Sequence, residues 1–140
     1  MSLALYPSLF FTVVQLVITA YFLMGGLPLL VLKHDTALDA NFIRSFFNFY
    51  YKLAIWTSVA ASVSYALWGR LTFALGAITI VLVTGWLRRI FIPAMEQVGT
   101  HIQTGDAHAI QKFRKVHSAA LLVNLVQLAV IVWAITKIPF

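Results

Sequence analysis

Two polar side chains on the last apolar segment are the first candidates for chemistry. His117 and Asn124 lie seven residues apart, so on a helix of about 3.6 residues per turn they are roughly 20° from the same azimuth, and we expect both to face the bundle interior rather than lipid. Polar groups inside a membrane either join helices or form a site. Two interpretations stay open: hydrogen bonding to neighbouring helices, or a site in which His117 is an axial heme ligand, a proton relay or a substrate contact.

A second group lies on the second apolar segment, where Arg44, Asn48 and Lys52 follow at steps of four. This spacing predicts a polar stripe on one face of a helix. Lys52 either extends its ammonium group to the membrane surface or lines an anion-binding vestibule with Asn48 and His117. We predict that His117, Asn124, Lys52 and Asn48 bind a cofactor or ligand, and we assign no catalytic residue.

Deeper in the apolar segments, further polar residues fall near a common depth when the segments are laid antiparallel. We expect them to form a hydrogen-bonded layer that is mostly structural. The members of this predicted layer are Gln15, Thr57, Ser58, Thr79, Asn124 and Gln127.

Several kinds of site are excluded by the residue inventory. The chain has no cysteine, and it contains no P-loop, no G-x-S-x-G motif and no Rossmann glycine pattern. His101, Asp106 and His108 are close in sequence, but their spacing matches no metal motif, so we predict surface residues and no metal site.

The composition indicates where these side chains must be placed. The chain has 140 residues, of which 61% are hydrophobic and 10% charged, and its mean hydropathy is +0.91. Soluble domains are about one quarter charged. So short a chain could not bury this much apolar surface from water, and we therefore predict an integral membrane protein.

Four segments reach the length of roughly 20 apolar residues that crosses a bilayer. We predict an all-α, antiparallel up-down four-helix bundle forming one domain over residues 1–140. Gly69 and Arg70 leave only a tight turn between the second and third helices, and Asp106 is a predicted N-cap. The expected helices cover about 9–32, 39–68, 71–91 and 107–136, with connections 33–38 and 92–106.

The positive residues predict the orientation. Seven of them flank the two long connections, whereas two, Arg70 and Lys137, lie on the other side. The positive-inside rule then puts both connections in the cytoplasm and both termini outside. We expect the cytoplasmic (inner) membrane, with the cations meeting anionic lipid head groups rather than nucleic acid. The seven are Lys33, Arg44, Arg88, Arg89, Lys112, Arg114 and Lys115.

The pattern of Phe113, His117 and Asn124 resembles the opening of the fourth helix in the transmembrane protein 205-like family, small four-helix membrane proteins of unknown function. Gly25-Gly26-Leu-Pro-Leu-Leu and Phe46-Phe47-Asn48-Phe49-Tyr50 fit the same family. The family usually has a small polar residue three positions after the histidine, where this chain has Ala120 and carries Ser118 instead.

A second resemblance is to HemJ-type protoporphyrinogen oxidases, small membrane proteins that use heme. It is carried by Pro28-Leu-Leu-Val-Leu-Lys-His34 and by Lys137-Ile-Pro-Phe140. The first-helix histidine of that family has no counterpart between Phe10 and Gln15. The resemblance therefore implies only that His34 or His117 approaches a heme.

We therefore predict a non-enzymatic membrane protein. It is either an accessory subunit or a binder of a small hydrophobic ligand in a cytoplasmic-side vestibule beneath His117. The alternative is a heme- or quinone-dependent oxidoreductase that uses His117, with Lys52 or Arg88 as an electrostatic partner. We also expect a homo-oligomer or a place in a larger membrane complex.

Overall fold

The protein is a bundle of four α-helices in a computed structural model that describes residues 3–31, 36–102 and 106–138. The helices are α1 (Leu5–Leu29), α2 (Ala37–Leu67), α3 (Leu71–Ile102) and α4 (Ala107–Ile135), and no strand occurs within these ranges. Each helix packs against its two neighbours in a ring, α1 on α2, α2 on α3, α3 on α4 and α4 on α1. The predicted all-α four-helix bundle is confirmed.

Contacts between neighbouring helices run in opposite residue order, as an antiparallel arrangement requires. On α2 and α3, for example, Asn48 pairs with Arg88 whereas Ser62 pairs with the carbonyl of Ala74. One end of the bundle holds the start of α1, the α2–α3 turn and the end of α4; we call it the terminal end. The other holds the end of α1, the start of α2, the end of α3 and the start of α4; we call it the basic end.

Local capping explains where the helices begin and turn. Thr36 accepts a hydrogen bond from the Asp39 amide at 3.1 Å and starts α2, while the predicted N-cap Asp106 accepts one from the His108 amide at 2.9 Å and starts α4. Gly69 adopts a φ of +78°, the left-handed conformation that ends a helix most easily when no Cβ is present. The tight α2–α3 turn predicted at Gly69 is thereby confirmed.

The third helix is longer than predicted. The sequence placed its end at residue 91 and a connection over 92–106, but α3 continues through Pro93 and Gly99 to Ile102. Proline removes one helical hydrogen bond, and packing of the following turns compensates, since Met95 and Val98 are buried. Gly99 lies within the helix opposite the Ala40 side chain of α2 and does not break α3.

The first helix is displaced toward the N-terminus from its predicted span of 9–32. It begins at Leu5, where Pro7 falls in the first turn and needs no helical hydrogen bond. It ends at Leu29, one residue after Pro28, where the bonding tightens: the Leu30 amide bonds to Leu27 and the Val31 amide to Pro28. α2 and α4 agree with their predicted spans to within two residues.

Three of the helices in the described ranges, α1, α3 and α4, are long and apolar enough to cross a membrane, which makes this a membrane protein. α2, the fourth predicted span, does not reach that hydropathy because it carries many tyrosine and serine residues. Most of these are buried against other helices, whereas its outward face is apolar. That exposed apolar face consists of Leu53, Trp56, Val59, Val63 and Leu67.

The main core lies toward the basic end and is rich in aromatic rings. Phe22 stacks on Phe46 and Tyr50 with ring centroids 4.6 and 3.9 Å apart, and Phe47 meets Phe22 edge-on at 4.8 Å. A smaller cluster around Ala61, Tyr65, Ala74, Ala77 and Ile138 occupies the terminal end. The small residues of this second cluster leave space between the helices.

Candidate functional site

An interhelical cavity of about 270 Å³ lies at the terminal end of the bundle. All four helices contribute to its wall, which is overwhelmingly apolar. The side of α3 is formed by small residues, Gly76 and Ala77, and α4 supplies Val130 and Ile131. Ligand cavities in proteins are of this kind, mostly apolar with a few polar groups that orient the ligand.

Several polar groups of the cavity lie on α1 and α2. The Thr57 hydroxyl donates to Gln15 Oε1, and the hydroxyls of Thr12 and Tyr65 are 2.7 Å apart. Ser58 differs from these because its Oγ has no hydrogen-bond partner among the described residues although the residue is only 1% exposed. A buried hydroxyl without a partner costs free energy, so Ser58 is the natural contact for a polar atom of a ligand.

One cation–indole pair lines the cavity, and a second pair lies on the α2–α3 turn at the same end of the bundle. Lys137 lines the cavity and places its ammonium 6.0 Å from the ring centroid of Trp133, which also lines it. On the α2–α3 turn, the Arg70 guanidinium lies 5.1 Å from the Trp68 ring. Such cation–π pairs are typical of the level where a membrane meets water, so the cavity begins near one membrane surface.

A hydrogen-bonded polar layer lies next to the cavity and connects all four helices. The Tyr50 hydroxyl of α2 is 3.4 Å from Thr19 Oγ1 of α1 and 3.5 Å from Gln127 Oε1 of α4. Gln127 Nε2 in turn donates to Thr84 Oγ1 of α3 at 3.3 Å. Internal bonds of this kind hold helices in register where lipid offers no partner.

The predicted polar layer is therefore correct for some members and not for others. Gln127 belongs to it, and Gln15 and Thr57 bond to each other. Thr79 is exposed and bonds to the Leu75 carbonyl of its own helix. The sequence did not predict that Tyr50, Thr19 and Thr84 belong to the layer, because their positions along the chain follow no recognisable spacing. Their hydroxyl groups meet Gln127 or each other only because of how each helix is rotated in the bundle.

His117 and Asn124 both face the bundle interior, as their spacing predicts, and each is 0% exposed. The Phe47 ring covers His117 edge-on at a centroid distance of 5.3 Å. The Asn124 amide nitrogen and oxygen, and the Tyr51 hydroxyl, have no hydrogen-bond partner within the described part of the chain. Neither His117 nor Asn124 lines the cavity at the terminal end.

Asn48 and Lys52 are separated from that pair, because they lie on the face of α2 that borders α3. Asn48 Oδ1 accepts a hydrogen bond from Arg88 Nε at 3.0 Å, and Lys52 is exposed. The structure thus divides the four predicted ligand residues into a buried pair and a peripheral pair. His34, the other residue suggested to approach a heme, lies outside the described residues, as does the side chain of His101.

The two amides on α4 offer a direct test of which polar residues are structural. We expect Gln127→Leu to lower the Tm of the detergent-solubilised protein, since bonds between membrane helices contribute about 0.6 kcal/mol each on average. Asn124→Leu, one turn away, should leave Tm unchanged or raise it, because a leucine of similar shape replaces an amide whose polar atoms have no partner in the described part of the bundle. Thermal unfolding of both variants provides the comparison.

An equal loss of Tm in both variants would contradict this division. It would mean that Asn124 has a binding partner in the folded protein. Both substitutions place a leucine on α4. A difference in Tm between the two variants therefore shows which of the two amides has hydrogen-bond partners in the folded protein.

Sequence reasoning placed the ligand site beneath His117 and missed the cavity at the opposite end. The available signal was the concentration of small residues in the facing halves of α2 and α3, at Ala61, Gly76 and Ala77. A scan of protein-family models, a search of curated proteins and a search of solved structures each find no match to this chain. The two family resemblances stay hypotheses, and the geometry of the cavity is the basis for inferring a function.

Proposed function

We propose that the protein binds a small hydrophobic ligand with one hydrogen-bonding group in the cavity at the terminal end. The observation that carries this proposal is Ser58 Oγ, which is buried in the wall of a mostly apolar cavity and, unlike the Gln15, Thr12 and Tyr65 side chains there, has no described partner. An apolar ligand body would contact the α3 and α4 walls. A ligand hydroxyl or carbonyl would then pair with Ser58.

The size and the lining of the cavity define the ligand class. Its volume of about 270 Å³ is near the lower limit of ligand cavities, roughly 300–1,000 Å³, so the ligand is small or enters only in part. Tyr65 and Lys137 are the ionisable side chains of its lining, and Tyr65 is engaged with Thr12. This lining suits binding better than catalysis, which is why we propose a non-enzymatic role.

The alternative oxidoreductase function requires His117 to be open to heme or quinone. His117 is fully buried beneath Phe47, so a ring-shaped cofactor at His117 would require α2 and α4 to separate. The cavity at the terminal end needs no such rearrangement. An absorption spectrum separates the two functions, because a Soret band lost on His117→Ala would support heme.

The distribution of charge supports a location in the cytoplasmic (inner) membrane with the basic end in the cytoplasm. Arg44, Arg114 and Lys115 lie at that end, where positive residues are enriched on the cytoplasmic side of membrane proteins. The cavity then opens toward the opposite side. We also propose that the protein forms a homo-oligomer or belongs to a larger membrane complex. A neighbouring subunit would then accept the ligand when it leaves the cavity.

Quenching of Trp133 tests the cavity directly, since this indole lines it. We expect ω-bromooctanol to quench the fluorescence of the full-length protein saturably in detergent. Gly76→Leu should abolish the saturable part because its side chain would enter the cavity. Gly85→Leu is the matched control: it is on the same helix, a Cβ there also meets nothing within 4 Å, and it does not line the cavity.

The hydroxyl contact is tested by comparing ω-bromooctanol with bromooctane. Ser58→Ala should weaken binding of the alcohol about 2- to 10-fold, the range expected for one hydrogen bond, and should leave binding of the bromoalkane unchanged. Equal quenching in Gly76→Leu and Gly85→Leu would show that the probe only partitions into the micelle. That result would overturn the proposal.

A further inference from the structure

Arg88 on α3 is a half-buried cation that lies away from the cavity and lacks a counter-ion among the described residues. Its Nε donates to Asn48 Oδ1 at 3.0 Å, and this neutral amide is its one described hydrogen-bond partner. The described ion pair at the basic end joins Arg44 to Glu96 at 3.2 Å and does not include Arg88. A membrane cation of this kind usually pairs with an anion or marks a functional site.

Lys52 adds a second cation beside Arg88. It lies one turn along α2 from Asn48, on the same face of the helix. The antiparallel pairing of Asn48 with Arg88 and of Ser62 with Ala74 places Lys52 level with about residue 84 of α3, one turn from Arg88. Lys52 is exposed, so its flexible ammonium can turn toward the Arg88 guanidinium.

The surface beside these cations has room for a ligand. Gly85 lies on α3 at the level of Lys52, and a Cβ built there would meet nothing within 4 Å. Because Asn48 Oδ1 accepts the bond from Arg88 Nε, the Asn48 amide group keeps its two N–H donors. The Arg88 Nη groups also have no described acceptor. The guanidinium and amide donors therefore lie together on neighbouring helices, with Lys52 one turn away along α2 and unfilled space next to Gly85.

The depth of this site matches the boundary between hydrocarbon and water. Arg88 lies 17 residues after Leu71 at the start of α3, which corresponds to about 26 Å along a helix. The hydrocarbon core of a bilayer is about 30 Å thick. Arg88 thus lies about one helical turn inside the hydrocarbon boundary on the basic side, from where its long side chain can extend to the level of the lipid phosphate groups.

We propose that Arg88, Lys52 and Asn48 form a binding site for a phosphate-bearing anion. The planar guanidinium group binds two phosphate oxygens with its parallel N–H donors, while Lys52 supplies a second charge and Asn48 a neutral donor. A phospholipid head group and free phosphate share this chemistry. The site is separate from the cavity at the terminal end, so either proposal can fail without the other.

Binding measurements on the full-length protein in detergent test the site. Native mass spectrometry would count phosphatidylglycerol and phosphatidylcholine molecules retained, and calorimetry would measure inorganic phosphate. We expect saturable phosphatidylglycerol binding that weakens about 10-fold or more in Arg88→Gln, as for the loss of a charge-assisted hydrogen bond. Lys52→Gln should weaken it less and, because Lys52 is exposed, should not disturb folding.

Arg89→Gln is the matched control, since it removes the same charge from the adjacent, exposed position and should retain wild-type binding. Saturable inorganic phosphate binding with the same variant pattern would support the site with a soluble anion as its ligand. Equal weakening in Arg88→Gln and Arg89→Gln would indicate general surface charge and overturn the proposal. Absence of saturable binding of both phosphatidylglycerol and phosphate would also overturn it.

Discussion

Phe47→Ala is expected to lower the Tm of the protein more than any other substitution proposed for this chain. Phe47 is 0% exposed, and its ring meets Phe22 at 4.8 Å and His117 at 5.3 Å. Removing a buried phenylalanine costs about 3–5 kcal/mol in soluble proteins. In a membrane the loss arises from the vacated volume and the missing dispersion contacts, since lipid is as apolar as the ring.

Phe49→Ala provides the matched control for this experiment. Phe49 lies two residues further along the same helix and is 68% exposed, so its removal leaves no cavity in the bundle. Thermal unfolding in detergent should show a large loss of Tm for Phe47→Ala and a small change for Phe49→Ala. Similar Tm values for the two variants would contradict the central packing role assigned to Phe47.

Gly26→Val is expected to produce the second large effect, by forcing α1 away from α4. A Cβ at Gly26 would lie 2.5 Å from Leu121 Cδ2, and Leu121 is itself buried in the core. Overpacking of this kind typically costs about 1–3 kcal/mol. We therefore expect a lower Tm and a smaller folded fraction for this variant in detergent.

A compensating substitution makes the cause identifiable. Leu121→Ala removes the atom that the new side chain would meet, so it should recover part of the Tm lost in Gly26→Val. Gly85→Val, at a position where a Cβ meets nothing within 4 Å, should change Tm little. If Leu121→Ala and Gly26→Val were simply additive, the proposed collision between α1 and α4 would be wrong.

The helix ends show which features of the fold can be predicted from a few neighbouring residues. Asp106 and Gly69 were predicted correctly because a cap and a tight turn depend on a few neighbouring residues. The end of α3 was predicted incorrectly because Pro93 is also a local signal, and it was outweighed by packing. Met95 and Val98 continue the helix by burying their side chains against other helices, a gain that no short window of sequence contains.

The candidate sites show a similar division between spacing and packing. The seven-residue spacing of His117 and Asn124 correctly predicted that both face the interior. Spacing could not predict that Phe47 covers His117, or that Asn48 would bond to Arg88 on another helix. These partners depend on the rotation and relative depth of two helices, which side chains from the whole bundle determine together.

The sequence by itself determined that this is an all-α membrane protein with four antiparallel helices and most of its cations near one end. Helix length, apolar content and the position of charged residues are properties of each segment alone, so they can be read without knowing its neighbours. Only the tertiary structure decided where a cavity lies. Gly76, Ala77 and Ser58 become one wall only when α2 and α3 are packed at a particular rotation and register.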